Sequence, residues 1–207
     1  IQAFRNIKRR FRALNYRVRS KTLNAWDYDV PQTRERTFII GIRQDVPRNT
    51  FSFPRKRTSK PILQDAIGSI AHISPPSTTK LALKNLAIPN HEYLEGSFSS
   101  NFMSRNRVRA WNEPSFTILA MARHIVLHPQ APTMVKIAKD TRRFKEGSEH
   151  LYRRLSVREC ANIQTFPEDF IFDYDNILDG YKMVGNAVPV NLAYHIAVQI
   201  QRCFDLS

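Results

Sequence analysis

The first 43 residues carry one helical pattern and then two strand patterns, and this order constrains the fold more than any other feature. Tyr16 and Val18 alternate with arginines, as in a half-buried strand, and residues 37–43 form a β-branched run suited to a buried strand. Helix, strand, loop and strand in this order are typical of the closing portion of an α/β sheet. The predicted helix precedes these strands, and its apolar stripe comprises Ile1, Phe4, Ile7, Phe11 and Leu14.

The middle of the chain has a different texture, with frequent prolines and short apolar runs. One short helix is predicted after Ser59, which is placed to cap it, with Pro61 in its first turn. Further along, residues 116–120 and 124–129 predict short strands. We therefore expect three parts, in which residues 1–47 close the sheet, residues 48–152 form a separate, mostly β insert, and residues 153–207 return to the first part.

The last part of the chain is helical again. Ser156 and Glu159 have the spacing of a capping box, which predicts the start of a helix because it satisfies the first free amides. Asn186 and Pro189 predict the start of a final amphipathic helix. The apolar stripe of that final helix is expected to comprise Ala193, Ile196, Ala197, Ile200 and Phe204.

The charge of the chain indicates a polyanionic partner. Lys and Arg number 32 against 18 Asp and Glu, which gives a formal net charge of +14. Binding to nucleic acid is favoured by such a surplus because neutralised phosphates release their counterions. No apolar run reaches the roughly 18 residues that a membrane span needs, and no signal-peptide pattern opens the sequence. Two cysteines do not form a disulfide framework, so a reducing cytoplasm is expected.

The chain shows no self-contained reactive site. Cys160 lies on the apolar side of the helix that begins after Ser156, so packing is its expected role and a reactive thiol is the alternative. His124 and His128 are four residues apart without a third ligand, which does not favour a zinc site. The acidic run at residues 167–180 lacks the spacing of a calcium loop, and no glycine-rich phosphate loop is present.

Three segments, in their order and spacing, resemble signatures of the C5-cytosine DNA methyltransferase family. Residues 31–43, PQTRERTFIIGIR, are similar to the family's Gln-x-Arg-x-Arg segment and its following strand. Residues 153–170, RRLSVRECANIQTFPEDF, and residues 180–193, GYKMVGNAVPVNLA, are similar to its last two signatures. From Pro89 onward the sequence resembles the target-recognition domain of the branch that modifies GGCC. The likeness covers nearly the whole chain, but only the latter part of a complete enzyme.

This resemblance implies a fold, a reaction and partners. The fold would be the distal part of a Rossmann-like, S-adenosylmethionine-dependent methyltransferase sheet with an inserted, mostly β target-recognition domain. In the family, a cysteine in a Pro-Cys-Gln loop attacks C6 of a cytosine flipped out of double-stranded DNA, and C5 then accepts the methyl group of S-adenosylmethionine. Such enzymes act in bacterial restriction–modification systems, which implies a cytoplasmic protein near the nucleoid.

The family's nucleophilic signature is not found in this sequence. There is no Pro-Cys pair, no Glu-Asn-Val signature and no Phe-x-Gly-x-Gly cofactor loop. We expect a missing N-terminal half, in cis or as a separate subunit, to supply them, and we expect the isolated chain to be inactive. Cys160 would then pack in a helix that buttresses the recognition domain. One alternative is a catalytically dead, sequence-specific DNA-binding remnant or subunit. A weaker alternative is a basic RNA-associated protein.

The resemblance also assigns the residues nearest the reaction. Arg36 matches the arginine that reaches the flipped pyrimidine, and its planar fork suits a carbonyl oxygen and a neighbouring carboxylate. Arg34 belongs to the same motif and is expected to hold the loop. Gly185, Asn186 and Val188 match the signature that closes the cofactor pocket, and Asn186 also suits a helix N-cap. The alternative for Arg34 and Arg36 is that they are ordinary surface arginines that precede a strand.

Base recognition is expected from arginines of the insert. Arg105, Arg107 and Arg123 match positions that the GGCC branch uses to read guanine, where a bidentate contact discriminates by about 1–3 kcal/mol. Arg109 continues the alternation and would share one face with Arg105 and Arg107 in a strand. Thr117 falls in the family's Thr-Ile/Val element. Contacts to phosphates, which carry no sequence information, are the alternative for all of these residues.

Overall fold

A computed structural model describes residues 2–46, 51–70 and 74–204 of the chain. The fold is mixed α/β, and the predicted domain boundary between residues 47 and 48 lies outside the described residues. The helices are α1 (Gln2–Ala13), α2 (Leu63–Ile67), α3 (Val157–Ile163), α4 (Ile177–Asn186) and α5 (Val190–Gln201). The strands are β1 (Tyr16–Asn24), β2 (Glu35–Arg43), β3 (Pro76–Ser77), β4 (Tyr93–Leu94), β5 (Val135–Ala138) and β6 (Thr141–Arg143).

The first part forms the predicted helix and the two long strands. Asn15 adopts φ 60°, a left-handed conformation that asparagine tolerates, and turns the chain from α1 into β1. β1 and β2 pair antiparallel, with Tyr16 opposite Arg43 at one end and Asn24 opposite Glu35 at the other. No residue of α1 is buried, and Phe11 and other members of its predicted stripe are exposed, so this helix lies on the surface of the described fold.

A short turn after β1 fixes the geometry of the first part. The turn is a 3-10 helix, Ala25–Tyr28, and the side-chain oxygen of Asn24 accepts from the backbone N–H of Trp26 and of Arg34. One amide therefore holds both the start of the turn and the start of β2. Behind the turn, a buried cluster joins the hairpin to α5 and comprises Leu23, Ala25, Tyr28, Val30, Leu192 and Ile196.

The largest hydrophobic core joins the middle of the chain to α3 and α4. Its buried residues come from α2, β4, residues 118–126, α3 and α4, with Ile118, Ile125, Ile163 and Val184 fully enclosed. α3 begins with the predicted capping box: the Ser156 hydroxyl accepts from the Glu159 N–H, and the Glu159 carboxylate accepts from the Ser156 N–H. The prediction of this helix and of its cap is confirmed.

The structure corrects the strands predicted in the insert. Residues 116–120 are irregular, and Ala122–His124 form a 3-10 turn instead of the start of a strand. Residues 105–109 likewise form no strand, since among them only Val108 makes a bridge, to Leu127. The strands of this region have two to four residues each, and single bridges link the rest. These segments pair with distant parts of the chain, and such pairing cannot be predicted from the local alternation of apolar and polar residues.

Three helix details also differ from the sequence prediction. Ile62, not Ser59, is the N-cap of α2, and its N–H donates to the Asp65 carboxylate. Asn186 is the last residue of α4, and Pro189 is the N-cap of α5, so Asn186 caps no helix. On α5 the buried line runs through Leu192 and Ile196 to Cys203; the predicted Ala193, Ala197 and Phe204 are exposed.

A smaller core lies under the β5–β6 hairpin. It consists of Phe102, Val108, Leu127, Ala131, Met134 and Tyr152, with Phe98 and Phe144 packed against it. Asn106 organises the loop above this core, because its side-chain oxygen accepts from the N–H of Val108 and of Met134. Among the described residues, no helix has both the length and the apolar character that crossing a bilayer requires.

Candidate functional site

Arg34 joins three segments that are far apart in the sequence. Its side chain lies just before β2 and the residue is only 1% exposed. Nη1 donates to the Ile118 carbonyl at 2.6 Å, and Nη2 donates to the carbonyls of Gly185 and Ala187 at 2.7 and 3.2 Å. Burial, followed by the charge of Arg36, lowers the pKa of Arg34 to about 10, so the guanidinium is charged at neutral pH. We call this set of contacts the arginine joint.

The backbone beside the arginine joint pairs in a strand-like way. The Ser115 N–H donates to the Pro31 carbonyl and the Thr33 N–H donates to the Ser115 carbonyl, each at 2.9 Å. The Thr117 hydroxyl donates to the Thr33 carbonyl at 2.7 Å. Thr117, predicted to contact DNA, therefore donates its only hydroxyl proton to Thr33 beside the joint, and a DNA contact by this residue stays a prediction.

Gly185 allows α4 to approach the backbone of residues 119–120. A Cβ atom at position 185 would lie 2.4 Å from the backbone nitrogen of Ala120 and from the carbonyl atoms of Leu119, well inside van der Waals contact. Backbone atoms cannot move aside as a flexible side chain can. Gly185 is thus required for packing at the joint, and the signal was visible in the sequence as a glycine inside a helical segment.

Asn186 and Val188 lie on the surface at the end of α4. Val188 is 42% exposed, and Asn186 is exposed at the rim of an open cleft of about 450 Å³. A carboxamide offers one donor and one acceptor group, and the neighbouring valine offers an apolar face. Asn186 thus offers polar contacts at the cleft, Val188 is exposed two residues further along without lining the cleft, and Gly185 faces the joint. The cleft is also lined by Asp173, Tyr174, Asp179, Lys182 and Met183.

Arg36 follows the joint at the start of β2 and is half-buried, with the Nη1 of its guanidinium at an exposed position. It pairs with Leu23 across the hairpin, and its Nη1 donates to the carbonyl of Glu35 at 2.7 Å. Arg34 lies just before β2 with its side chain buried in the joint, whereas Arg36 is the second residue of β2 and its Nη1 lies at an exposed position. The two arginines of one motif therefore have separate positions: a buried connector and an accessible guanidinium beside it.

The predicted base readers divide by how fully their guanidinium groups are engaged. Arg105 and Arg123 are exposed. Arg107 is half-buried: its Nε donates to the Phe102 carbonyl at 2.9 Å, and its guanidinium lies 4.9 Å from the centre of the Phe102 ring. Arg109 pairs with Glu113 at 2.8 Å. The first two residues are therefore the most accessible donors of the set.

Arg107 and Arg123 approach the same pair of aromatic rings. Phe98 and Phe102 lie 4.9 Å apart, with Arg107 against Phe102. Arg123 borders a cleft of about 300 Å³ together with Phe98 and Arg154. The positive charge of Arg105 contributes to the lowered pKa of Arg107, after burial, which places the two guanidinium groups in electrostatic range of each other. Arg107 thus contacts this ring pair, Arg123 shares a cleft with Phe98, and Arg105 lies near enough to Arg107 to affect its charge.

Two buried arginines were missed by the sequence analysis. Arg154 donates to the carbonyls of Leu94, Gly96 and Ser97 at 2.8–3.2 Å. Arg158 is 2% exposed and donates to loop carbonyls, including that of Phe170 at 2.6 Å. Both lie in the segment that carries the penultimate signature, and only their position beside the capping box of α3 hinted at burial.

The cysteines are packed, as predicted. Cys160 is fully buried in the largest core, and burial raises the pKa of its thiol well above the usual range. Cys203 is 3% exposed, and burial raises its pKa as well. His128 is buried and His124 lies in the 3-10 turn; within residues 2–46, 51–70 and 74–204, no group of three potential metal ligands converges.

Comparison with known proteins identifies what the chain is similar to. Residues 2–202 match the family model described as C-5 cytosine-specific DNA methylase. Type II methyltransferase M.MthTI of Methanothermobacter thermautotrophicus is 50% identical over 200 residues, which cover 96% of this chain and 60% of that protein. Type II methyltransferase M.FnuDI of Fusobacterium nucleatum is 49% identical over 204 residues, or 97% of this chain and 59% of that protein.

A solved structure shares the fold. The methyltransferase EhMeth of Entamoeba histolytica aligns over 97% of this chain and 57% of its own, with a TM-score of 0.60 at 12% identity. The chain therefore spans about 60% of the length of the curated relatives it matches.

Proposed function

The chain belongs to the C-5 cytosine-specific DNA methylase family, and from that premise we propose that it is the recognition part of a DNA (cytosine-5-)-methyltransferase. The complete enzyme would transfer a methyl group from S-adenosylmethionine to C5 of a cytosine in double-stranded DNA, as part of a restriction–modification system. The arginine joint carries the proposal, because Arg34 ties the loop of Arg36 to the recognition segment and to the end of α4. Under this proposal, the contact to the flipped base, the recognition segment and the cofactor contact would be held together by one side chain.

Arg36 is the proposed catalytic residue of this chain. Its accessible guanidinium would donate to the carbonyl oxygen of a cytosine that has left the base stack, since the reacting carbons are covered inside a duplex. Arg34 would act as a positioning residue, because its Nη1 and Nη2 are already engaged by the carbonyls of Ile118, Gly185 and Ala187. Holding Arg36 beside a rigid joint fixes the orientation of the base before the reaction.

The attacking thiolate is proposed to come from polypeptide outside this sequence. A nucleophilic cysteine requires a lowered pKa and access to the substrate. Cys160 and Cys203 have neither property, because both are buried and burial raises both pKa values. The complementary N-terminal half, in cis or as a separate subunit, would supply the thiolate and most of the cofactor site.

Asn186 and Val188 are proposed to hold part of S-adenosylmethionine, which supplies the transferred methyl group when bound. The carboxamide would hydrogen-bond a polar part of the cofactor, and the valine would cover an apolar part. Gly185, assigned to the same pocket by resemblance, would contribute by letting α4 approach residues 119–120 closely enough to place Asn186.

The proposed target is GGCC. A site made only of G·C pairs presents guanine O6 and N7 in the major groove, and arginine is the best partner for this pair of acceptors. Arg105 and Arg123 are the accessible candidates, with Arg107 beside them. Arg109 and Thr117 are proposed as minor contacts because Glu113 and Thr33 already engage them.

A chimeric enzyme tests this function. In it, the 207 residues replace the matching part of M.MthTI, so that the relative supplies what this chain lacks. We expect transfer of radiolabelled methyl groups to duplexes that contain GGCC, and only background transfer to a control duplex of the same composition with GCGC. Methylation of GCGC at an equal rate would refute the GGCC assignment. A folded chimera that binds GGCC without methylating any duplex would instead favour a DNA-binding subunit.

A further inference from the structure

The β5–β6 hairpin projects from the recognition segment with both of its faces open. All four residues of β5 are exposed, as are Thr141 and Arg143 of β6. A two-stranded hairpin is only marginally stable in water unless other elements support it. Here the support is confined to the base of the hairpin, while the tip around Asp140 extends away.

The base of the hairpin is anchored in the smaller core. Met134, which precedes β5, is 2% exposed. Phe144, which follows β6, stacks on Tyr152 at 4.2 Å and lies edge-on to Phe98 at 5.3 Å. The Tyr152 hydroxyl accepts from the N–H of Lys145 at 3.0 Å. Packing therefore fixes the base of the β5–β6 hairpin, which we call the arm, and sets the direction in which it leaves the smaller core.

The charge of the hairpin is concentrated and unbalanced. Residues 135–145 carry five basic side chains and one acidic side chain, Asp140. Four of the basic residues are exposed, and the half-buried Arg142 points an Nη1 toward the Met134 carbonyl at 3.5 Å. Like charges this close repel one another, and a polyanion would relieve the repulsion. The basic residues are Lys136, Lys139, Arg142, Arg143 and Lys145.

The position of the hairpin indicates which polyanion it would bind. β6 packs against the turn Phe102–Ser104, which leads directly into Arg105. Arg107 donates back to the Phe102 carbonyl, so the hairpin and the predicted base readers share one support. A duplex seated on Arg105 and Arg107 would bring its backbone beside the arm. Lysines act on phosphates as mobile point charges, whereas base reading favours the planar fork of arginine.

We propose that the β5–β6 hairpin is a phosphate grip, which binds the backbone of double-stranded DNA next to the recognition site without reading its bases. This inference rests on the proposed function, since it requires that the insert binds DNA. The hairpin would supply affinity and register, and the arginines around Phe98 and Phe102 would supply sequence choice. Its contribution must then appear in the salt dependence of binding and not in the preference for GGCC.

Two matched triple variants of the chain test the grip. The hairpin variant carries Lys136→Gln, Lys139→Gln and Arg143→Gln; the control variant carries Arg5→Gln, Arg9→Gln and Arg12→Gln on α1. All six residues are exposed, and each variant lowers the net charge by three. Circular dichroism and thermal melting establish that both are folded. Fluorescence anisotropy then gives the affinity for labelled 20-base-pair duplexes containing GGCC or GCGC, over a series of NaCl concentrations.

We expect the hairpin variant to show a less steep salt dependence, by about 2 to 3 in the slope of log K against log[NaCl], and about 100-fold weaker binding at 0.1 M salt. The ratio between GGCC and GCGC should stay within about threefold of the unaltered chain. The α1 variant should keep both the slope and the ratio.

Other outcomes overturn the proposal in separable ways. Equal losses in the two variants would mean that total charge, not the hairpin, attracts DNA. An unchanged slope in the hairpin variant would exclude phosphate contacts by these residues. A GGCC-to-GCGC ratio that falls only in the hairpin variant would make the arm a base reader. If the unaltered chain shows no GGCC preference but the slope still changes, the target assignment fails and the grip stands.

Discussion

Single arginines connect distant segments throughout this molecule. Arg34, Arg154 and Arg158 are each 1–2% exposed and each donates to backbone carbonyls. Loops lack the regular partners of helices and strands, so their buried carbonyls need donors from elsewhere, and a planar guanidinium can satisfy two or three at once. The acceptors of Arg34 lie 84, 151 and 153 residues away. Local pattern could therefore not separate this buried arginine from exposed ones such as Arg105.

The two arginines of the Gln-x-Arg-x-Arg segment should fail in different ways when replaced. Arg34→Met leaves three carbonyls without their donor in a buried joint, and we expect a loss of about 3 kcal/mol in the free energy of unfolding. Arg36→Met changes an accessible side chain and should lower stability by less than about 0.5 kcal/mol. Urea denaturation of both variants measures these values.

In methyl-transfer activity we expect the opposite order, with a greater loss in Arg36→Met than in Arg34→Met. In the chimeric enzyme, Arg36→Met should reduce methyl transfer by at least about 100-fold, the scale of losing one donor to a developing negative charge. Arg34→Lys, which keeps the charge but not the fork, serves as the conservative control for the joint. If Arg36→Met retained full activity, or destabilised the chain as much as Arg34→Met, the division of roles between the two arginines would be wrong.

Elements specified by nearby residues were predictable, and those specified by distant ones were not. α1, β1, β2 and α3 follow from apolar spacing, strand alternation and a capping box, all of which act within a few residues. Residues 115–118 instead pair with residues 31–33, so the alternation seen there did not make a strand. On α5, two neighbouring lines have helical spacing, and the helix buries Leu192 rather than Ala193 because the larger side chain removes more apolar area from water.

The buried His128, beside Glu159 of α3, should make the free energy of unfolding depend on pH. His128 is buried against Trp111, Glu159, Arg153 and His91, and its Nδ1 accepts from the Gln130 N–H. Burial, partly opposed by Glu159, lowers the pKa of His128 to about 4. The unfolded chain takes up this proton near pH 6.5 and the folded chain does not, so stability is lost as pH falls from 6.5 to about 4. His128 should account for about 3 kcal/mol of that loss.

Replacement of His128 tests this coupling. Urea denaturation at several pH values between 7 and 4 should show that His128→Gln flattens the pH dependence of the unfolding free energy by that amount. The same replacement at the exposed His150 should leave the dependence of the unaltered chain. A His128→Gln profile parallel to that of the unaltered chain would show that folding does not shift the pKa of His128 and would contradict this account. A steeper loss of stability in His128→Gln would show a protonated ring paired with Glu159, 3.6 Å away.

At the scale of the whole molecule, the proposed function places the recognition arginines in this chain and the attacking thiolate in other polypeptide. The packed cysteines could be predicted from the sequence because apolar spacing is a local property, whereas the boundaries of the insert and the roles of its arginines stay predictions. The sequence did not predict that Gly185 would pack on the backbone of Leu119 and Ala120, or that Thr117 would bond to Thr33, because these contacts join residues far apart in the sequence. The proposed enzyme therefore needs this chain to select and hold the site and a second segment to react with it.

The location of the reactive sulfur is the most direct test of this account. The chimeric enzyme is incubated with S-adenosylmethionine and a GGCC duplex whose target cytosine carries fluorine at C5, which blocks the final proton removal and leaves the protein bound to the base. Mass spectrometry then identifies the modified peptide. The account predicts an adduct on a cysteine in the part contributed by M.MthTI and none with the 207-residue chain alone. An adduct on Cys160 or Cys203 would contradict it.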